Sequence, residues 1–457
     1  MLNRRQFISV LGAGAVAGMG ALAGCTPDAG PADAASDGGY SGPKAANGKL
    51  DPSNPTKITF YSYNLSMPSA KDTIQGIIDG FNNGVGKEKG VQVEGVAVDV
   101  TASTSKTTTD IQAGNQVSVI QNGFATLDSD RDSIGLLAYE DVFGKDAMNE
   151  AFQGIDEGAQ QLGVIGDKMY GIAFTFSTPV LYVNATLFKK AGLDPVNGLP
   201  KTWDDVAKAC AALKDAMGGK PPLCLGTGNT SYWVMDSIFF SNGADVLSDD
   251  RKQAVFASNE GVEAMQMLHD LYKSGYCVQA SDTEAANLFA AGGAAMHLYT
   301  TALYSLYQKG AQAAGWELTG TAEPAFGTKT PAPTNSGSCL TVRPQNDNEA
   351  AACWEFIKYA TSAESYTKIT ENIGYLPLRA GIVDDPKYLK DFADKNPLLR
   401  VNIEQLKNIR PATIWPAPNA NEELAAYVDG ITKAVTTDAD VEETLKATQD
   451  QINGLLG

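Results

Sequence analysis

Two separate stretches of the chain alternate between strand-like and helix-like hydrophobic patterns, and this alternation constrains the fold more than any other feature. In the first stretch, residues 57–63 are rich in strand formers, residues 74–81 repeat apolar side chains at helical spacing, and residues 91–98 alternate apolar with polar side chains. The same alternation starts again near Met169. Strands that alternate with helices are typical of α/β folds with a largely parallel sheet. The sequence therefore predicts two α/β lobes, each a mostly parallel sheet flanked by helices.

Two facing lobes of this kind predict a ligand cleft between them. In open α/β sheets, ligands bind in the crevice beyond the carboxyl ends of the strands, and a hinge between two lobes allows such a crevice to close. We assign residues 57–173 and 332–376 to the N-terminal lobe, and residues 174–331 and 377–457 to the C-terminal lobe. The hinge is expected where the chain passes from one lobe to the other.

The composition argues against several classes of protein. With 43% hydrophobic and 19% charged residues, the 457-residue chain has enough apolar material for buried cores and too little charge for a disordered protein. Lys and Arg total 35 against 53 Asp and Glu, so the net charge is −18. Nucleic acids and anionic membrane surfaces are bound through basic patches. The charge balance therefore argues against nucleic acid as a partner and against docking of the protein surface on a membrane.

The first 24 residues predict an export signal. Arg4 and Arg5 precede an apolar stretch at residues 7–23, which ends in small residues before Cys25. A membrane-spanning helix is the weaker interpretation, because the stretch is rich in Gly and is shorter than the ~20 residues that cross a bilayer. The paired arginines are also typical of twin-arginine export, so both export routes stay open.

Cys25 is predicted to carry a lipid. The segment Leu-Ala-Gly-Cys at 22–25 resembles a bacterial lipobox, in which the cysteine sulfur is acylated and the chain is cut just before it. A buried or disulfide-bonded cysteine at the end of an ordinary signal is the alternative. Residues 26–56 consist mainly of small and polar side chains, so they are predicted to form a flexible tether. A lipid, a tether and a globular body together predict a protein anchored on the outer face of the cell membrane.

The remaining cysteines and histidines do not predict a metal site. Five cysteines follow Cys25, none in a C-x-x-C pair, and an odd number cannot be fully bridged. Buried free thiols are expected, with a disulfide between Cys210 and Cys224 as the alternative. His269 follows the apolar spacing of its helix and is predicted to be structural, whereas His297 is either a core residue or a cleft residue. No metal and no cofactor is implied.

Six sequence blocks, in a fixed order, point to one family. They are Tyr-Gly-Ile at 170–172, Ser-Thr-Pro-Val-Leu-Tyr-Val-Asn at 177–184, Pro-Lys-Thr-Trp-Asp at 200–204, Phe-Ala-Ala-Gly-Gly-Ala-Ala-Met at 289–296, Cys-Trp-Glu-Phe-Ile at 353–357 and Gly-Tyr-Leu-Pro-Leu-Arg at 374–379. Over residues 57–457 the chain resembles extracellular solute-binding proteins of family 1, which serve ABC importers of sugars and related polyols. The resemblance implies a periplasmic-binding-protein-like fold, a ligand cleft at the hinge, a monomer, and delivery of the ligand to ABC permease subunits.

The resemblance also implies a receptor rather than an enzyme. The sequence has no G-x-S-x-G elbow, phosphate loop or metal-ligand cluster in a plausible context. A carboxylate pair of glycosidase type stays open, because acidic residues are plentiful and no pair stands out. A secreted carbohydrate-active enzyme is therefore the less favoured alternative.

Within the family, two features decide the predicted ligand. The 177–184 block and the segments at 396–397 and 410–411 look most like glycerol-phosphate binders. That branch has a glutamate after the third strand, where this chain has Gln-Asn-Gly at 121–123, and an arginine near the C-terminal helix, where residues 421–428 contain none. Phosphate is bound by charge-assisted donors. We therefore predict a neutral mono- or oligosaccharide, with glycerol-3-phosphate or another polyol phosphate as the alternative.

Several candidate ligand contacts lie at predicted strand ends. Sugars present hydroxyl groups and apolar C–H faces, so their sites combine hydrogen-bonding side chains with aromatic rings. Tyr61, Tyr63 and Asn64 end the first predicted strand and Asn122 ends the third. The carboxyl ends of these strands are expected to face the cleft.

Hydroxyl and glycine positions supply further candidates. Ser177 falls where the family has a ligand hydroxyl, although Ser-Thr before Pro is also common turn chemistry. Thr300 and Thr301 either face the ligand or cap the helix that follows them. Gly337 and Ser338 lie in a small-residue turn where the backbone can approach a ligand closely, and an ordinary turn is the alternative.

Three aromatic residues complete the predicted site. Tyr232 and Trp233 follow a loop of small polar residues and suit a stacking platform for a sugar ring, although one ring can instead pack inward at helical spacing. Trp415 is a candidate lid residue. The sequence thus predicts a binding site without catalytic residues.

Overall fold

The computed structural model describes residues 40–226, 231–416 and 418–456. Gly42–Gly457 form one compact unit. The predicted export signal and the lipid site at Cys25 lie outside the described residues, as do residues 227–230 of the predicted loop before Tyr232. No helix among the described residues is both long and apolar enough to cross a membrane.

The strands belong to two main sheets and one short hairpin. They are β1 (Thr56–Ser62), β2 (Val91–Ala97), β3 (Val119–Gly123), β4 (Val164–Ile165), β5 (Lys168–Met169), β6 (Gly171–Ser177), β7 (Pro179–Asn184), β8 (Leu223–Leu225), β9 (Met296–Thr300), β10 (Leu318–Thr321) and β11 (Ser336–Val342).

The helices flank these sheets. They are α1 (Lys71–Asn83), α2 (Val85–Lys89), α3 (Ser103–Gln112), α4 (Leu127–Asp130), α5 (Tyr139–Phe143), α6 (Lys145–Ala151), α7 (Glu157–Gln161), α8 (Ala185–Lys190), α9 (Trp203–Ala216), α10 (Tyr232–Ser241), α11 (Asn259–Lys273), α12 (Asp282–Ala290), α13 (Tyr304–Ala314), α14 (Asp347–Ala360), α15 (Ala363–Asn372), α16 (Lys390–Lys395), α17 (Pro397–Gln405), α18 (Ala420–Thr436) and α19 (Val441–Leu456).

The first lobe is built on the five-stranded sheet β2-β1-β3-β11-β6. Its core follows the predicted patterns, because the apolar positions of α1, including Ile74 and Phe81, are buried. Phe60 of β1 is also fully buried and its ring centroid lies 5.2 Å from that of Phe356 on α14. Burying an aromatic side chain of this size stabilises a core by about 1.5–3 kcal/mol.

The second lobe is built on the four-stranded sheet β10-β7-β9-β8. The start of α9 is capped reciprocally: the Thr202 hydroxyl accepts a hydrogen bond from Asp205 N at 3.2 Å, and the Asp205 carboxylate accepts one from Thr202 N at 3.1 Å. This reciprocal capping satisfies two backbone donors that a helix start otherwise leaves open. Tyr182 of β7 packs edge-on against Tyr307 of α13 with centroids 4.8 Å apart.

The predicted two-lobed α/β class is confirmed, and the sheets are more mixed than predicted. In the first sheet β1 is parallel to β2 and β3, whereas β11 is antiparallel to β3 and β6. In the second, only β8 and β9 are parallel. In the first sheet the antiparallel strand is β11, which enters after the chain has returned from the second lobe.

The sheets also move the predicted lobe boundaries. Because β6 pairs with β11, the first lobe continues to Ser177 rather than to residue 173, and the chain changes sheet at Thr178. After the return, the Arg379 guanidinium donates to the backbone oxygen of Thr361 at 2.7 Å and so remains on the first lobe beyond the predicted boundary at 376. The predicted boundaries therefore lie a few residues too early.

The predicted tether is ordered in its last part. The Lys44 amide donates to the Asp347 carboxylate at 2.8 Å, and the Lys49 amide donates to the Asn348 side chain at 2.7 Å. A Cβ on Gly48 would lie 2.4 Å from the backbone oxygen of Asp347, so the segment runs very close to the start of α14. The part of the predicted tether from Lys44 to Lys49 is therefore held against the start of α14 by backbone hydrogen bonds and a close glycine approach.

The five cysteines after Cys25 are free and buried, as expected, and Cys210 and Cys224 do not form the alternative disulfide. Burial raises the pKa of both thiols to about 12. Neutral thiols of this kind pack as small apolar groups.

Candidate functional site

The candidate site lies where the two sheets meet. β1 ends at Ser62, β3 ends at Gly123 and β6 ends at Ser177, while β11 begins beside them at Ser336. Ser336 pairs with Ser177, and after Thr178 the chain enters β7 of the other lobe. Strand ends from the first lobe and the crossover into the second therefore share one edge, as the crevice rule predicts.

Five fully buried side chains at this edge form what we call the polar cluster: Ser62, Asn64, Gln121, Thr175 and Ser338. The Gln121 amide nitrogen donates to Ser338 Oγ at 2.9 Å and also to Asn64 Oδ1, while Ser62 Oγ donates to Gln121 Oε1 at 2.5 Å. The hydroxyls of Thr175 and Ser338 lie 2.6 Å apart. Because these groups satisfy one another, the cluster is a rigid and uncharged surface.

Two tyrosines stand beside the polar cluster. Burial raises the pKa of the Tyr63 hydroxyl, and hydrogen bonds from Ser338 and Thr175 act in the opposite direction. Burial also raises the pKa of Tyr375, next to Tyr63 and Asn64. Both hydroxyls are therefore neutral donors and acceptors at physiological pH, which suits recognition of uncharged polar groups.

Gly337 allows β11 to approach the cluster. Its φ of 124° is in a region that favours glycine, and a Cβ there would lie 2.1 Å from the backbone oxygen of Thr175. The register between β11 and β6 shifts one residue further on, between Ser338 and Cys339. Ser338 lies at this bulge and belongs to the polar cluster, so a larger residue at 337 would displace Ser338.

Unpaired hydroxyls line the crossover between the lobes. Ser177 Oγ, Thr178 Oγ1 and Thr301 Oγ1 are buried and have no hydrogen-bond partner among the described residues. The Thr301 amide donates to the Thr178 backbone oxygen at 3.2 Å, so the segments that carry these hydroxyls are in contact with each other. Buried polar groups are normally paired, and an unpaired set at a lobe junction indicates groups that can bind a ligand.

The second lobe contributes aromatic rings to the same region. The Trp233 ring lies 5.9 Å from that of Tyr299, and its backbone oxygen accepts a hydrogen bond from Thr334 Oγ1 at 2.6 Å. Thr334 leads directly into β11, so Trp233 is joined to the strand that carries Ser338. Trp415 is buried against Tyr427 with centroids 5.2 Å apart.

A buried carboxylate holds the segment that carries Trp415. Asp236 of α10 accepts hydrogen bonds from the Thr413 amide at 2.8 Å and from the Tyr427 hydroxyl at 2.7 Å. Burial raises the pKa of Asp236 to about 6, and these hydrogen bonds oppose the rise. Both carboxylate oxygens are thus occupied, which indicates a positioning role rather than proton transfer.

A second buried acid, Glu323, lies between α10 and α17. Its carboxylate accepts hydrogen bonds from Ser237 and from Ser241, the latter at 3.3 Å, and its amide donates to Gln405 Oε1 at 2.8 Å. Burial raises the pKa of Glu323 to about 7. Gln405 in turn donates to the backbone oxygen of Pro179, the first residue of β7.

Some predicted contacts lie apart from this arrangement. The Tyr61 hydroxyl donates to Asp110 at 2.9 Å, and burial raises its pKa to about 12. Thr300 accepts a hydrogen bond from the Ala302 amide at 3.1 Å, which is the capping alternative. Asn122 is buried beside Asp130, and Tyr232 is half-buried against the core of the second lobe. The structure thus places Tyr63, Asn64, Ser177, Thr301, Gly337 and Ser338 at the edge where the sheets meet, joins Trp233 to it through Thr334, and leaves these four apart.

Both histidines have structural surroundings. His297 is fully buried, its Nδ1 lies 2.7 Å from the Tyr307 hydroxyl, and burial lowers its pKa to about 3. His269 Nδ1 lies 3.0 Å from the backbone oxygen of Ala434.

Three residues that organise the site were not predicted as contacts from the sequence: Gln121, Tyr375 and Asp236. Gln121 entered only as a departure from a family pattern, and Tyr375 only as part of a sequence block. Asp236 carried a readable signal, because it is the one acidic residue within the apolar helix at 232–241. An acid in such a position needs a buried partner.

Known proteins with related sequences cover part of this chain. It is 28% identical over 289 residues to the sn-glycerol-3-phosphate-binding periplasmic protein UgpB of Brucella melitensis, which is 59% of this chain and 64% of that relative. It is 30% identical over 250 residues to the protein of the same name from Escherichia coli, 52% of this chain and 55% of the relative. The chain therefore spans less than two thirds of the length of these curated relatives.

Solved structures cover more of the chain at lower identity. UgpB from Mycobacterium tuberculosis in complex with glycerophosphocholine aligns with a TM-score of 0.76 and 18% identity, over 88% of this chain and 99% of the other. The cyclic alpha-maltosyl-1,6-maltose binding protein from Arthrobacter globiformis aligns with a TM-score of 0.73 and 21% identity, also over 88% and 99%. At these identities the likeness shows the fold.

The family follows from the sequence match. Residues 77–396, more than half of the chain, match the family described as bacterial extracellular solute-binding protein. The fold and the lobe junction described above agree with that match. This chain belongs to the bacterial extracellular solute-binding protein family.

Proposed function

We propose that this protein is the substrate-binding receptor of an ABC importer, anchored by a lipid on Cys25 at the outer face of the cell membrane, and that it captures a neutral mono- or oligosaccharide. Family membership and the two-lobed fold support a receptor. The observation that carries the ligand class is the set of unpaired, buried hydroxyls at the crossover, together with the uncharged polar cluster of the first lobe and the aromatic rings of the second.

This combination suits a sugar. Hydroxyls such as those of Ser177 and Thr301 can each donate and accept, which matches the alternating donors and acceptors of a polyol. The indole of Trp233 offers an apolar face for the C–H side of a sugar ring, and Trp415 has a buried N–H without a partner among the described residues. No member of the polar cluster is charged.

Capture proceeds through a shift between open and closed lobes. A ligand that touches both the polar cluster and the aromatic rings makes all its contacts only when the lobes are together, so it favours the closed state. The importer's permease subunits would then bind the closed, loaded form. The protein itself changes no covalent bond of the ligand.

Glycerol-3-phosphate or another polyol phosphate is the second candidate. The relatives named UgpB favour it, since their printed name assigns them sn-glycerol-3-phosphate. Against it, a phosphate is normally bound by charge-assisted donors, and the polar cluster and the crossover hydroxyls offer only neutral ones.

The test is a ligand screen by thermal shift and titration calorimetry on residues 42–457. We expect a mono- or oligosaccharide to raise the melting temperature, because a ligand bound only by the folded state stabilises it. Trp233→Ala should weaken binding by roughly 30-fold or more, the size typical of a central aromatic contact. Binding of glycerol-3-phosphate instead of any sugar would support the second candidate. Chemical conversion of the sugar, detected by chromatography, would indicate an enzyme.

Trp316→Ala is the matched control. Trp316 is buried in the second lobe, where its indole donates to the backbone oxygen of Ala290 at 3.2 Å, away from the crossover. This variant should lose stability while ligand affinity stays within about twofold of wild type. Equal losses of affinity in the two variants would contradict the assignment of Trp233.

The lipid is tested separately on the full chain made in bacteria. Mass spectrometry of the N-terminal peptide should find a diacylglyceryl-modified Cys25, and Cys25→Ala should release the protein from membranes. An unmodified Cys25 in a soluble, processed chain would contradict the anchor and leave the receptor proposal standing.

A further inference from the structure

A β-hairpin of the second lobe carries a residue that reaches the first lobe. Leu247 and Ala254 form an antiparallel bridge, and the Val255 amide donates to the Val246 backbone oxygen at 2.9 Å. The hairpin base is fixed to α19, because the Ala254 amide donates to Asn453 Oδ1 at 2.7 Å. Arg251 lies at the tip of this supported hairpin.

Arg251 has an unusual backbone. Its φ is 57°, and it is the single non-glycine residue with positive φ among the described parts of the chain. The Arg251 amide donates to the Ser248 backbone oxygen at 2.8 Å, which closes the turn in this conformation. A non-glycine residue whose backbone stays in the left-handed region indicates that surrounding contacts hold it there.

The guanidinium of Arg251 contacts both lobes. Its Nε donates to the backbone oxygen of Ile414 at 3.1 Å, directly before Trp415. Its Nη1 donates to Asp128 Oδ2 at 3.3 Å, and Asp128 lies on α4 of the first lobe. One side chain thus contacts the Trp415 segment within its own lobe and an acid of the opposite lobe.

We infer that Arg251 is a positioning residue that couples closure of the lobes to the placement of Trp415. This inference rests on the proposed capture by closure. The contact with Ile414 is internal to the second lobe and survives opening, whereas the contact with Asp128 exists only when the lobes meet. Closure therefore adds a second attachment to the Arg251 side chain, at Asp128, and so fixes the Trp415 segment over the ligand.

The charges around the pair set the size of its effect. The side chains of Arg251 and Asp128 are 38% and 33% exposed. A cavity of about 360 Å³, lined in part by both residues, Lys252 and Glu423, lies beside them. Asp128 also faces Arg131, with 3.6 Å between its Oδ1 and Nη1, so it keeps a partner when the lobes separate. Because solvent reaches this ion pair, it should shift the equilibrium toward the closed form only a few-fold, and salt should screen it.

Matched acids allow a sharp test. Asp132 also pairs with Arg131, at 2.7 Å, but it lies on the first lobe only and 73% of its side chain is exposed. Asp128→Asn should weaken ligand affinity about threefold and Arg251→Ala about tenfold, while Asp132→Asn should change it by less than about 1.5-fold. The double variant should bind like Arg251→Ala alone, because one partner is already missing. In about 1 M NaCl the Asp128→Asn effect should disappear.

A ligand-free measurement separates this inference from the proposed function. Cysteines introduced at exposed Val100 of the first lobe and Val196 of the second can carry dyes or spin labels, since the five native cysteines after Cys25 are buried. The inter-lobe distance should lengthen, or its short-distance population should fall, in Asp128→Asn and Arg251→Ala. Asp132→Asn should match the parent.

The outcomes are distinct. If no sugar or polyol phosphate binds the parent protein while the distance shift appears, the proposed ligand class fails and the coupling stands. If Asp128→Asn and Asp132→Asn behave alike in distance and affinity, the coupling is overturned whatever the ligand. Arg251→Lys keeps the charge but not the guanidinium fork, so it should retain part of the Asp128 contact and guards against misfolding of Arg251→Ala.

Discussion

The two halves of the candidate site are built in different ways. The first-lobe half is the polar cluster, in which strand-end side chains hydrogen-bond to one another and are fully buried. The second-lobe half consists of aromatic rings on a helix start and on an irregular segment, tied down by the carboxylate of Asp236. One half is a network of mutually paired neutral groups, and the other is held in place by a buried acid, Asp236, together with the Arg251 contact at Ile414.

This difference teaches where the site tolerates change. A network of mutually paired groups loses several hydrogen bonds when one member is removed, yet the strands around it stay in place. The Trp415 segment is instead held at separate points, by Asp236 at Thr413 and by Arg251 at Ile414, so the loss of Asp236 removes its buried attachment. The second-lobe half is therefore the more fragile one, and the following variants test this ranking.

Replacement of Asp236 should have the largest effect. Asp236→Ala leaves the Thr413 amide and the Tyr427 hydroxyl without their buried partner, and each unsatisfied group costs about 1–3 kcal/mol. We expect the free energy of unfolding to fall by about 3 kcal/mol and ligand affinity to fall at least tenfold as the Trp415 segment loosens. Chemical denaturation and titration calorimetry measure the two.

Asp245→Ala is the control for that variant. Asp245 pairs with Arg410 at 2.6 Å, but its side chain is 54% exposed. Removing such a pair should change the free energy of unfolding by no more than about 1 kcal/mol. Similar losses at 236 and 245 would show that burial of the carboxylate is not what holds the segment.

Disruption of the polar cluster should rank second. Gln121→Leu keeps the side-chain volume but removes the hydrogen bonds to Ser62, Asn64 and Ser338, which should lower the free energy of unfolding by about 2 kcal/mol and affinity by roughly tenfold. Gln116→Leu, at an exposed residue that donates to the Lys57 backbone oxygen at 3.0 Å, should leave both nearly unchanged. A larger loss at 121 than at 236 would reverse the ranking of the two halves.

The smallest predicted effect is a pH dependence from Glu323. Burial raises its pKa to about 7 in the folded state from an ordinary value of 4.5. The folded protein then holds a proton that the unfolded chain releases, so this group's contribution to stability is greatest in acid and is lost as the pH rises through about 7. The free energy of unfolding should fall by on the order of 1 kcal/mol between pH 6 and pH 8 on this account.

Glu323→Gln should flatten that slope, measured as the difference from wild type in denaturation curves at each pH. The exposed Glu317→Gln, whose acid pairs with Lys189 at the surface, should keep it. Parallel slopes in wild type and Glu323→Gln would contradict a raised pKa at this position.

Much of the fold was predictable because its signals are local. The apolar spacing that buries Ile74 and Phe81 and the capping pair Thr202 and Asp205 each lie within one turn or a few turns of helix. Strand direction was less predictable, since the antiparallel entry of β11 between β3 and β6 joins segments more than 150 residues apart.

The site shows the same division. Strand ends such as Asn64 could be placed from the crevice rule, and Ser338 from its small-residue turn. Tyr375 reaches the polar cluster only through the chain's return from the second lobe, which no local pattern indicates. Thr300 was ambiguous in sequence because the same hydroxyl can face a ligand or cap a helix, and the local backbone amide of Ala302 takes it.

The ordered segment at 44–49 determines which lobe a membrane anchor would be attached to. Its hydrogen bonds go to Asp347 and Asn348 on α14 of the first lobe. A lipid on Cys25, as proposed, would be at most ~65 Å of chain from Lys44. A force transmitted from the membrane would therefore act on the first lobe alone, and the second lobe could still move relative to it. The anchor would limit how far the receptor diffuses from the membrane without opposing the closure that captures the ligand.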